Sequence, residues 1–182
     1  MLSRLTTMLR RFRKDDSGLS ALEFAIIAPV MLTSLLGAVE VSNGMLADRK
    51  VTLVTSTIAD LAAQDKNITN AEMADIFAAG AAVMYPMGAA PLRMRISSVV
   101  ADASTGVTRV EWSSASNMSA RGAGTGITVP AGMVPPGGSV IFAEVEYLYT
   151  SGIGEFLTSG VTVKDKFYLR PRRTVKVTRS TS

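Results

Sequence analysis

The chain has 182 residues, a formal net charge of +4 and neither cysteine nor histidine. Without thiols there is no disulfide framework and no cysteine metal site. Without imidazole the commonest general base and metal ligand is missing, so we expect no enzyme, no metal and no cofactor, with only carboxylate or Ser/Lys chemistry left open. The charge is uneven: five basic residues lie in 1–17 and six in 166–182, whereas 41–165 holds eight basic against eleven acidic residues. The high isoelectric point therefore reflects the two ends and does not mark a nucleic-acid-binding domain.

In chain order, residues 1–18 read as a polar, basic leader carrying Arg4, Arg10, Arg11, Arg13 and Lys14. Between Asp16 and Glu40 lie 23 residues with one charge, Glu23. As a helix at 1.5 Å per residue this run is about 34 Å long, enough to cross a bilayer core of about 30 Å. We assign 19–41 as a transmembrane helix segment and 42–182 as an extracytoplasmic α+β domain, since basic flanks stay in the cytoplasm. A cleavable secretory signal fits less well. The 16 uncharged residues from Phe24 to Val39 slightly exceed a typical apolar region, and Ser42-Asn43-Gly44 is a poor cleavage site.

A charge within a span costs roughly 2.5–3.5 kcal/mol on insertion scales, so Glu23 has a partner or a function by default. The plain alternative is a carboxylate that snorkels to the cytoplasmic interface. Pro29 removes one helical hydrogen bond and kinks the helix, and within a membrane neighbouring groups re-satisfy the freed carbonyl.

A charged leader, Gly18, four residues, Glu23 and then Phe24 fit the signal read by a prepilin peptidase, which cuts after a glycine and leaves the apolar helix on the product. With Ala21, Ala25, Pro29, Gly37 and Glu40, this segment resembles the TadE-like family of the Tad (tight adherence, Flp) pilus system, a branch of type IV pilin-like proteins. Looser likeness extends to Ile58-Ala59-Asp60-Leu61, Arg109-Val110-Glu111-Trp112-Ser113 and Phe167-Tyr168-Leu169-Arg170-Pro171-Arg172. The resemblance implies cleavage between Gly18 and Leu19 and assembly through Glu23, Phe24 and Pro29. In it, Glu23 pairs with the new α-amino group of a neighbouring subunit and sets register. Phe24, where major pilins of this system have Tyr, and the large domain point to a minor pilin or pseudopilin. The implied setting is the bacterial inner membrane, single-pass, with the N-terminus cytoplasmic and the domain periplasmic. Implied partners are other pilin-like subunits, the prepilin peptidase and the inner-membrane pilus assembly platform. The alternatives are a type II secretion-like pseudopilin and an unprocessed, membrane-anchored periplasmic binding module.

Past the span, Ala47, Val51, Val54, Ile58 and Leu61 recur at spacings of 4, 3, 4 and 3, an apolar stripe on a helix continuing to about Gln64. We expect Val51, Val54, Ile58 and Leu61 to pack on the domain and to contact sister subunits, with Gly44 the favoured bend. Thr69-Asn70-Ala71-Glu72 is a capping box. It opens a second helix through Met73, Ile76, Phe77, Ala81 and Met84 that stops before Pro86.

The remainder predicts strands: Leu92, Met94 and Ile96 alternating with Arg93, Arg95 and Ser97, then Val107–Ser113, Ser139–Thr150, Val161–Arg170 and Arg173–Thr178. Fold class is α+β, with an antiparallel sheet of four or five strands packed on the long helix. Ser114 to Gly138 reads as a long loop of functional or mobile character. Its Gly122-Ala-Gly124-Thr-Gly126 lacks the Lys-Ser/Thr of a phosphate loop. Glu144 and Glu146, about 7 Å apart on one strand face, read as a solvated face. The basic run from Arg170 to Arg179 reads as a charged edge strand that discourages stray pairing.

Overall fold

The computed structural model of the protein describes residues 17–151 and 160–180. Residues 1–16 of the expected leader lie outside the described residues. The chain divides into two compact units, Met1–Ser42 and Asn43–Ser182.

Helix α1 spans Ser17–Gln64, 48 residues with Pro29 inside. The sequence is rich in Ala, Leu and Met, good helix formers, and the helix is unbroken at both Pro29 and Gly44. Thr33 Oγ1 donates to the Pro29 carbonyl at 2.6 Å, a side-chain bond typical of helices that curve.

In the second unit, α1 supplies the stripe expected from its spacing. Ala47, Val51, Val54 and Ile58 are fully buried, and Leu61 packs on the same core partly exposed. After the two-residue strand β1 (Asn67–Ile68) comes helix α2, Asn70–Val83. Its capping box forms as the sequence predicts: Thr69 N–H donates to Glu72 Oε2 at 2.7 Å and Glu72 N–H to Thr69 Oγ1 at 3.3 Å. Such a cap contributes about 1 kcal/mol, and hydrogen bonds from Thr69 hold the Glu72 carboxyl below its ordinary pKa. At the other end, Lys50 Nζ donates to the Val83 and Tyr85 carbonyls at 2.9 and 2.7 Å. A cation from α1 thus satisfies carbonyls that the end of α2 leaves open.

Strands β2 (Leu92–Ala101), β3 (Thr108–Ser116), β4 (Ser139–Tyr149) and β5 (Val161–Leu169) form one antiparallel sheet ordered β3-β2-β4-β5. Leu92, Met94 and Ile96 from β2, with Ile141, Ala143, Val145 and Tyr147 from β4, face α1 and α2 and complete the main core. The β2–β3 hairpin turns at Asp102, whose Oδ1 accepts from the N–H and hydroxyl groups of both Ser104 and Thr105. Those bonds pull the Asp102 carboxyl far below its ordinary pKa.

Three expectations need correction. The alternation sets Ser97 with Arg93 and Arg95 on the polar side of β2, yet it is buried, its hydroxyl bonded to that of Ser113 at 2.9 Å. The reason is the second correction: the outer face of the sheet has a cover. Residues of the expected loop begin as strand, up to Ser116, and the rest folds back on the sheet, with Ile127, Val129, Met133 and Val134 packed on Val99, Val140 and Phe142. Asn117 makes the turn at φ 58°, and its Nδ2 donates to the Leu92 carbonyl at 2.9 Å. Asn is among the few residues that adopt this conformation readily.

The third correction is Arg173–Thr178, which adds no strand to the sheet. Only Thr178–Arg179 (β6) is strand, and it pairs in parallel with β1. Val177 is buried and Val175 is 72% exposed, although alternation puts them on one face. This tail is a strap. Arg172 N–H donates to Ala63 O at 2.9 Å, Thr178 N–H to Lys66 O at 3.0 Å, and Trp112 Nε1 to Val177 O at 2.8 Å.

Candidate functional site

The described residues of the first unit form no core. From Gly18 to Met45 no residue is buried, and the large apolar side chains stand exposed around the helix, Phe24 at 69% and Val30 at 65% among them. A helix apolar on every side fits lipid or other helices and not water. This one is long and apolar enough to cross a membrane.

The residues singled out by sequence lie along it. Gly18 is in the first turn, with nothing within 4 Å of where a Cβ would stand. Leu19 and Glu23 are four residues apart and so share a helix face, about one turn or 6 Å along the axis. Glu23 is exposed and has no ion-pair partner among the described residues. Phe24 and Pro29 are exposed beside it.

The stripe behaves differently. Val51, Val54 and Ile58 are wholly taken up by the chain's own core, while Leu61 beside them stays partly exposed. Gly80 of α2 lets the two helices approach there. A Cβ on it would stand 2.8 Å from Ile58 Cγ2 and 2.9 Å from Met94 Sδ.

On the outer face of the sheet the structure assembles charges that sequence reading left apart. Glu144 is buried, not solvated. Its Oε2 accepts from Arg95 Nε at 2.7 Å, and Arg121 reaches Oε1 and Oε2 at 2.7 and 2.8 Å. Burial raises the carboxyl pKa, but the hydrogen bonds and charges of the two arginines outweigh it and the net shift is downward. Glu146 pairs with Arg93 at 3.0 Å and Lys164 at 2.8 Å. The Lys164 hydrogen bond is the largest influence on its pKa, which is also lowered.

These arginines pin the folded-back loop. Arg121 belongs to it, Arg95 donates to Ser119 O at 3.0 Å and Arg93 to Asn117 O at 3.3 Å. Register would have paired Arg95 with Glu144 had the strand partners been known, but nothing local in the sequence points to Arg121.

A folded-state pKa below the unfolded value stabilises at pH above the unfolded value and ceases to do so as pH falls through the folded one. The second unit should therefore lose stability on acidification from about pH 4.5 downward, read as a falling urea midpoint, with Glu144→Gln flattening that dependence.

Four cations of the basic tail are likewise committed internally. Arg172 meets Asp60 at 2.5 Å, Lys176 pairs with Glu111, and Arg170 donates to Met133 O and Gly132 O at 2.9 Å. Arg179 reaches Ile68 O at 3.0 Å and Asn70 Oδ1 at 2.7 Å. Spent in this way, these cations do not form an open anion-binding patch.

A family model described as TadE-like protein matches residues 18–60. The N-terminal helix is TadE-like. The match opens on Gly18 and takes in Glu23, Phe24, Pro29 and the stripe as far as Ile58, so the exposed segment and the start of the folded unit both belong to the TadE-like region. No curated protein and no solved structure matches the chain.

Proposed function

We propose that this protein is a minor pilin or pseudopilin, a structural component for assembly of a Tad (Flp, type IVb) pilus. The observation that carries the reading is the TadE-like helix: exposed all round, apolar enough to span a bilayer, with one carboxylate a turn inside a Gly-Leu bond. The helix is anchored in the inner membrane, its leader in the cytoplasm and the second unit in the periplasm. Prepilin peptidase cuts after Gly18 and exposes the α-amino group of Leu19. Glu23 then pairs with the terminal ammonium of an adjacent pilin-like subunit, and the assembly platform draws the helix into a bundle. The protein is a substrate of the peptidase and catalyses nothing itself.

The energetics favour a paired Glu23. Leaving one partner of an apolar ion pair alone costs about 3–5 kcal/mol, equivalent to more than a hundredfold in association. Glu23→Ala should therefore be processed normally yet recovered with the pilus base at no more than a few per cent of the wild-type level. Co-purification at the wild-type level would refute the pairing.

A further inference from the structure

The two edges of the sheet are treated differently. At β3 the folded-back loop occupies the edge: Val110 N–H donates to Thr125 O at 2.9 Å, Gly124 N–H to Val110 O at 2.7 Å and Ile127 N–H to Thr108 O at 3.2 Å. At β5 nothing among the described residues pairs with the outer side. Antiparallel pairing turns alternate residues toward the partner strand. Val161, Val163, Asp165, Phe167 and Leu169 face β4, opposite Tyr149, Tyr147, Val145, Ala143 and Ile141. The N–H and C=O groups of Thr162, Lys164, Lys166 and Tyr168 point outward, and among the described residues only the Lys166 N–H of these has a partner, Asp165 Oδ1 at 2.8 Å.

The two faces beside this edge differ in chemistry. On the outer face stand Lys164 and Lys166. Lys164 is exposed and shares Glu146 with Arg93, while Lys166 has no ion pair among the described residues. On the inner face, between β5 and α1, lies a groove of about 360 Å³ lined by Thr57, Leu61, Phe167, Leu169 and the Asp60–Arg172 pair. Phe167 is 37% exposed there.

We propose that the β5 edge receives an extended segment of a partner protein in which carboxylates alternate with apolar side chains. Added as a fifth strand, the segment takes its main-chain hydrogen bonds from the outward groups of β5. Alternation then sets its carboxylates beside Lys164 and Lys166 and its apolar side chains toward Phe167 and the groove. β4 already meets β5 in this way on the other side, with Glu144 opposite Lys166 and Glu146 opposite Lys164. A second copy of β5 fits poorly, because in register about Asp165 it sets Lys164 against Lys166 and Asp165 against itself. Edge lysines also ward off indiscriminate pairing, and a carboxylate-bearing strand is the kind they admit. This inference concerns the folded unit and does not depend on processing at Gly18.

The test uses the full chain in detergent micelles, with a short peptide of alternating glutamate and valine and its lysine–valine counterpart as probes. The glutamate peptide is expected to bind, more weakly at higher salt. At about ten times Kd it should slow hydrogen exchange about tenfold at the Thr162, Lys164 and Tyr168 amides. Lys164→Pro removes one free outward donor and no β4 bond, and should abolish that protection at Thr162 and Tyr168. Lys166→Ala, which keeps the donor, should weaken binding and retain the protected pattern. Equal binding of the lysine peptide, binding without protection of those amides, or no binding would each overturn the proposal.

Discussion

Glu144→Ala is expected to destabilise the folded unit by about 3 kcal/mol, the lower part of the range for breaking a buried ion pair from one side. The lower part applies because the Arg95 and Arg121 side chains remain 16% and 27% exposed and regain some water. The loss has a direction as well as a size. Arg121 is held to the sheet by both Glu144 oxygens, and its ring-facing contact with Phe142, 5.7 Å to the centroid, depends on the same placement. Hydrogen exchange should accordingly accelerate first in residues 117–134 and much less in α2. Glu144→Gln, which keeps one acceptor oxygen and the shape, should lose less. A urea-derived loss under 1 kcal/mol for the alanine variant, or uniform acceleration across the unit, would contradict this role.

Gly80→Leu should be comparably severe for a different reason. Two opposing effects meet at this position. Replacing Gly by Ala in a helix gains up to about 1 kcal/mol of propensity, while overfilling a packed core costs about 1–3 kcal/mol. The first added carbon already lies 2.8 Å from Ile58 Cγ2. Ile58 is fully buried and cannot withdraw, although the Met94 thioether can turn aside. Gly80→Ala should thus be destabilised by about 1 kcal/mol and Gly80→Leu by about 3 kcal/mol or more, measured as shifts in the thermal midpoint of the second unit. An alanine variant more stable than wild type would show that propensity wins and that the helices have slack.

The elements that could be read from sequence are those whose signal is local. Period-3.6 spacing from Ala47 to Leu61, the Thr69–Glu72 box and the alternation in β4 each sit within fifteen residues, and each recurs in the structure. What escaped depends on distant partners. The 117–138 segment has the glycines and prolines of a free loop. Its place is set by Arg93, Arg95 and Glu144, which lie far from it in sequence. The tail misled for the same reason. Val175 and Val177 alternate with polar residues as a strand would, but its cations meet Asp60 and Glu111, so the chain takes the path those acids dictate. Gly80 carried no signal at all, because its role exists only where two helices and β2 converge.

The exposed helix was legible for the opposite reason. A span needs no tertiary partner to announce itself, and an isolated carboxylate in 23 residues stands out in any context. Glu23 stands without a counter-ion among the described residues, while Glu144 and Glu146 in the folded unit are fully paired.

The account rests on the conversion of this chain by a peptidase that frees an amine beside Glu23. The most direct measurement is the N-terminal residue of the protein purified from membranes of cells that contain a prepilin peptidase, read by mass spectrometry of the intact chain and its first proteolytic fragment. The account predicts a chain that begins at Leu19. A mature chain that still begins at Met1, or one that begins beyond residue 40, would contradict it.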